Sequence, residues 1–129
     1  MSKKPLPFLI RSKIWIADQD EQIVFGLGRY RILEAVHRLG SLQAAAQELK
    51  ISYRAVWCRI KASEERLDRD LLVRSNSGST LTPFALKLLK QFQRLQTVIE
   101  TESDAMFDEL MADSMTSSSI AHQAKEHRG

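Results

Sequence analysis

Arg54, Cys58 and Lys61 recur at steps of four and three residues. At about 100° per residue, that spacing places all three on one side of a helix. Ser52, Tyr53 and Trp57 lie in or beside the same stretch. Cations, hydroxyls and aromatic rings on one free helical face are groups that bind a polyanion. The cations meet phosphates, and the other side chains reach sugars or base edges. Further cations flank the stretch: Lys50 just before it, Arg29 and Arg31 at the start of an earlier helix, and Arg74, followed by Ser75, at a later hairpin. Catalytic groupings do not assemble in the same way. Gly26-Leu27-Gly28 is a G-x-G without a third glycine, and there is no G-x-x-x-x-G-K loop. His37, His122 and His127 lack metal-ligand spacing. The single cysteine, Cys58, excludes an internal disulfide framework and a Cys-rich zinc site. Cys58 faces outward on a basic helix, which raises a redox-sensor reading, yet a lone cysteine is usually inert. The expectation is no enzyme, no metal, no cofactor and no evident small-molecule ligand.

The elements that must position this face follow from periodicity. The chain of 129 residues is 43% hydrophobic and 27% charged, as expected of one globular domain. Residues 1–10 hold two prolines and read as an arm. Ile14-Trp15-Ile16 and Ile23-Val24-Phe25 are β-prone around a polar turn, Asp18 to Glu21, and predict a hairpin broken by Gly26 and Gly28. From Arg29, Ile32, Leu33, Val36 and Leu39 form a helical face that Gly40 stops. Ser41 caps a short helix carrying Leu42, Ala45, Ala46 and Leu49. Ile51 plugs the next turn, Ser52 caps again, and a third helix runs from about Tyr53 to Leu67 on a buried line of Val56, Ile60 and Leu67 with Ser63 beside it. Leu71 to Arg74 and Thr80-Leu81 predict a small wing around the polar turn Ser75 to Ser79. Thr82-Pro83 starts a long helix over residues 83–112, and a Ser-rich disordered tail is expected over 113–129. The fold class is mainly α with a small β component. The elements predict a winged helix-turn-helix over residues 11–82, with an N-terminal β-hairpin and a long C-terminal helix expected to serve dimerisation.

Charge supports the polyanion reading. Residues 1–96 carry 17 Lys and Arg against 9 Asp and Glu, a net of +8. Residues 97–129 carry 2 against 7, a net of −5. The basic body draws polyanions. No apolar run approaches the ~18 residues of a membrane span. Pro7-Phe8-Leu9-Ile10, stopped by Arg11, is too short for a signal segment, so a cytoplasmic location is expected.

The stretch from about Gly26 to Leu95 resembles the N-terminal winged helix of the ModE family of molybdate-responsive regulators. More loosely, it is similar to the DNA-binding domain of LysR-type regulators. The residues carrying the likeness are Gly28-Arg29, Gly40-Ser41-Leu42 with Ala44-Ala45-Ala46, and Ile51-Ser52-Tyr53-Arg54-Ala55 with Trp57 and Ile60. Leu72-Val73-Arg74-Ser75 and Leu81-Thr82-Pro83 continue it. Ser52-Tyr53-Arg54 with Trp57 favours ModE over LysR. The resemblance implies a winged helix that binds double-stranded DNA. Two departures limit it. The wing, Ser75-Asn76-Ser77-Gly78-Ser79, has no charge after Arg74. About 30 residues follow the winged helix, too few for either family's sensor domain, so molybdate binding is not carried over.

Leu88, Phe92, Leu95, Ile99 and Met106 form an apolar line along the last helix, interrupted by Glu102. A helix from Pro83 to Met111 is about 44 Å long, too long for a compact body to cover. This line is the expected homodimer interface, and two-fold symmetry would set two recognition helices ~34 Å apart, one turn of DNA. The expected function is a sequence-specific transcription regulator acting as a homodimer on a roughly palindromic site, without its own sensor domain. The alternative is a winged-helix protein–protein interaction module that modulates the transcription machinery.

Overall fold

A computed structural model describes residues 7–114. It contains two strands, three helices, two further strands and a last helix: β1 (Trp15–Ala17), β2 (Ile23–Gly26), α1 (Leu27–Leu39), α2 (Leu42–Leu49), α3 (Tyr53–Leu67), β3 (Leu72–Ser75), β4 (Gly78–Leu81) and α4 (Pro83–Ser114). This is the winged helix-turn-helix with an N-terminal hairpin. The chain divides into two compact units, one of which is Lys13–Leu95.

Within Lys13–Leu95, local chemistry sets the helix boundaries. The Ser41 and Ser52 hydroxyls accept from the amides of Ala44 at 3.0 Å and Ala55 at 3.1 Å, capping α2 and α3. Thr82 does the same for α4, accepting from Ala85 at 3.1 Å while donating to the Asp70 carbonyl at 2.8 Å. Between α2 and α3, Lys50 takes a left-handed conformation with φ 59°, and the Ile51 amide reaches back to the Ala46 carbonyl at 3.1 Å. That closure makes the turn short and holds α3 across α2.

The core joins Phe25 of β2, Ile32, Leu33, Ala35 and Val36 of α1, Ala45 and Ala46 of α2, Val56 and Ile60 of α3, Leu71, and Ala85 and Phe92 of α4. Phe92 stands edge-on to Phe25 with centroids 5.2 Å apart, and lies 5.9 Å from the Tyr30 ring. The Ser63 hydroxyl, fully buried, donates to the Val24 carbonyl at 2.6 Å and ties the N-terminal hairpin to the back of α3.

Several boundaries differ from the sequence expectation. α1 begins at Leu27, so Gly28 lies in its first turn instead of ending a strand. Glycine's penalty is the loss of backbone freedom in a helix interior, and a first-turn position is less demanding. Leu39 is 41% exposed, and Ala35 takes its place in the core. The wing strands are longer than expected because Ser75 pairs with Gly78, leaving only Asn76 and Ser77 as the turn. α4 continues to Ser114, past residue 112. The rest of the expected tail, with His122 and His127, lies outside the described residues, as do residues 1–6 of the arm.

The second unit holds residues 7–12 with the α4 residues from Gln96 onward. In it, Ile10, Arg11 and Ser12 line a small cleft with Glu100, Ser103 and Asp104. Among the described residues no helix is long and apolar enough to cross a membrane.

Candidate nucleic-acid interface

The buried line of α3 is Val56, Ile60 and Ser63, and each is at most 1% exposed. Burying that line turns the opposite side outward. Tyr53, Arg54, Trp57 and Cys58 are all exposed there. Ser52 is exposed at the N-terminal end, with its hydroxyl oxygen committed to the cap.

Lys61 is less free than its spacing suggested. It is half-buried, lies 3.4 Å from the Glu64 carboxylate, and stands 5.8 Å from the centre of the Trp57 ring. The Glu64 carboxylate also accepts the Leu71 amide at 2.8 Å, which fixes the entry to β3. Arg74 of β3 approaches the same Trp57 ring at 6.0 Å. Trp57 therefore joins the wing to α3 through two cation contacts, each contributing ~0.5–1 kcal/mol at an exposed site.

The flanking residues divide. Lys50, Arg31, Arg74 and Ser75 are exposed. Arg29 is half-buried, and its Nε donates to the Arg59 carbonyl at 3.3 Å. Burial, with Arg66 and Arg59 close by, lowers its pKa. It sits on the hairpin side of α3, away from Arg74. The Arg59 guanidinium has no carboxylate partner among the described residues. The Arg29–Arg59–Arg66 cluster had no local signal, because its members are brought together only by the packing of α1 on α3.

One ion-pair network was also unforeseen. Arg38 of α1 donates to Glu34 on its own helix at 2.9 Å and to Glu48 of α2. The hydrogen bonds hold the Glu48 carboxyl below its usual range and raise the Arg38 pKa. The Glu34–Arg38 step of four residues was a legible signal; the Glu48 arm was not.

On the last helix, Phe92 is a correction. It was expected on the dimer seam, but it is 2% exposed and packed in the core. A side chain already buried against Phe25 and Tyr30 has no surface left for a second copy. Leu88 is partly buried against the same core. Ile99 is half-buried, whereas Leu95 and Met106 are 46% and 53% exposed.

Residues 27–86 match the family described as bacterial regulatory helix-turn-helix protein, lysR family. The chain is similar to the HTH-type transcriptional regulator YofA of Bacillus velezensis, with 39% identity over 79 residues that cover 60% of this chain and 27% of that protein. It is also similar to the transcriptional regulator ModE of Haemophilus influenzae, with 30% identity over 86 residues that cover 63% of this chain and 34% of that protein. The chain thus spans about a quarter to a third of the length of these relatives. Among solved structures, the DNA complex of the CbnR DNA-binding domain superposes with a TM-score of 0.55 at 25% identity, covering 64% of this chain and 95% of that one. Residues 27–86 are a LysR-type helix-turn-helix domain, with homologues among both ModE and LysR-family regulators.

Proposed function

We propose that this protein is a transcription regulator that binds double-stranded DNA sequence-specifically through α3, as a homodimer on a roughly palindromic site. The observation that carries this reading is the outward face of α3. Arg54 and Cys58 are exposed on it, and Trp57 and Arg74 adjoin it. A helix of ~10–12 Å diameter fits a major groove ~12 Å wide. In that position Tyr53, Arg54 and Cys58 reach base edges, while Lys50, Arg31, Arg74 and Ser75 meet phosphates. The similarity to regulators and to a domain solved on DNA supports the same reading. The dimer is supported by large apolar side chains left exposed along α4: Leu95, Val98, Met106 and Leu110.

In vitro selection from a random duplex pool tests the proposal. The expected result is an enriched two-fold motif with half-sites ~10 base pairs apart, centre to centre. Affinity for it should fall steeply as salt rises. A pool that yields no motif, with binding indifferent to salt, would contradict DNA recognition. A single unrepeated half-site would contradict the dimer.

A further inference from the structure

The hairpin flank of α3 carries a second cationic cluster that the reading above leaves unused. A cavity of about 410 Å³ opens there, lined by Lys13, Arg29 and Arg59 and walled by Trp15. Neither the Lys13 amine nor the Arg59 guanidinium has an ion-pair or hydrogen-bond partner among the described residues. Arg66 stands behind, donating to the Ile23 carbonyl. No carboxylate lines the cavity, and Arg59 and Arg66 act on Arg29 as like charges. The first turn of α1 borders the same space. It has no acidic residue and no side-chain cap, and a Cβ at Gly28 would meet nothing within 4 Å. The cations carry the site, and the helix end adds backbone donors.

Position gives the cluster its meaning. Val56 and Ile60 face the core, and Arg54 and Cys58 face out. Trp57 and Arg74 occupy one flank of that outward face, and Arg59 with Lys13 occupies the other. A helix in a major groove has a sugar–phosphate backbone on each side of it. One flank is supplied by the wing; the N-terminal hairpin supplies the other.

We propose that this cavity seats a backbone phosphate of duplex DNA, held by Lys13, Arg29 and Arg59, so that the recognition helix is clamped on both edges. This rests on the reading that α3 enters duplex DNA. A seated phosphodiester and a free phosphate-type anion share the same chemistry, and the experiment separates them. Arg59→Gln and Lys13→Gln are made in the full chain, and binding to a selected site and to a random duplex is followed by fluorescence anisotropy between about 50 and 200 mM salt. Because both side chains are unpartnered, the variants should unfold at the wild-type temperature. Each variant is expected to weaken both duplexes by the same factor, about 3- to 10-fold, and to reduce the salt slope by about 1. Sequence preference should stay intact. Wild-type affinity and slope in both variants, with the wild type binding DNA normally, would overturn the clamp alone. Absence of salt-dependent duplex binding by the wild type would instead remove the DNA reading, and the clamp with it. In the second arm, inorganic phosphate is titrated at constant ionic strength without DNA, reading the Gly28 and Arg29 amide shifts. Saturation below about 1 mM, with duplex affinity unmoved by Arg59→Gln, would assign the cavity to a free anion and overturn the clamp.

Discussion

Phe92→Ala is expected to lower the unfolding free energy by about 3–5 kcal/mol. Phe92 is 2% exposed and meets Phe25 of β2 edge-on at 5.2 Å and Tyr30 of α1 at 5.9 Å. Truncation removes the transfer energy of the ring and leaves a space that three different elements cannot collapse to fill. An edge-to-face aromatic contact worth ~0.5–1.5 kcal/mol goes with it. A domain of this size has ~5–15 kcal/mol in total, so the variant should stand near the limit of folding. Urea unfolding checks this, with the slope of the transition compared so that a change in the unfolded state is not mistaken for a loss of core. Leu95→Ala, one helical turn further on and 46% exposed, is the contrast. It should change protomer stability by less than about 1 kcal/mol. A Phe92→Ala variant within 1 kcal/mol of wild type would return this residue to the intermolecular seam.

Gly78→Ala is expected to cost about 2–4 kcal/mol, a large sum for one methyl group on a wing. Gly78 has φ +134°, a region closed to ordinary L residues, and a Cβ there would overlap the Gly40 carbonyl oxygen. That same oxygen accepts the Ser79 amide at 2.8 Å, which is how the wing docks on the end of α1. The methyl group therefore strains the turn and pushes apart the atoms that make the docking bond. Thermal unfolding should show a fall of roughly 10 °C or more. Amide exchange should show loss of protection confined at first to the wing and the α1 terminus. Gly28→Ala is the control: its Cβ meets nothing within 4 Å, so stability should hold or rise slightly. Equal melting temperatures for Gly78→Ala and wild type would mean that the wing does not rest on Gly40.

What the chain disclosed about itself followed the range of the interactions. Caps act over three residues, so Ser41, Ser52 and Thr82 announced the starts of α2, α3 and α4. The outward placement of Tyr53, Arg54 and Cys58 needed only helical periodicity and the burial of Val56 and Ile60. Periodicity fails where it must say what covers a stripe. Leu88, Phe92 and Leu95 share one line on α4, yet Phe92 is buried and Leu95 is exposed, because the protomer's own core ends near Phe92. A heptad-like step is the same for an internal core and for a seam between copies. Contacts between distant residues left no trace either. Ser63 reaches Val24 across 39 positions, and the Arg29 side chain meets the Arg59 carbonyl across 30. The first contact ties the hairpin to α3 and the second ties α1 to α3, and together they decide which cations gather beside α3. The wing was legible as a hairpin but not in its length. Ser and Asn spell a turn, and only the pairing of Ser75 with Gly78 decides how many of them join the strands.

On the proposed function, the outward face of α3 is the surface that reads base edges. Arg54 is the cation most directly placed for this, exposed one residue into the helix and without an ion-pair partner among the described residues. The decisive measurement is the affinity of Arg54→Ala for the selected site and for random duplex, side by side at one salt concentration. The expected loss is about 1–3 kcal/mol on the selected site, with much less on random sequence and relaxed preference at one base position per half-site. Unchanged affinity for both duplexes would mean that α3 does not enter the groove by this face.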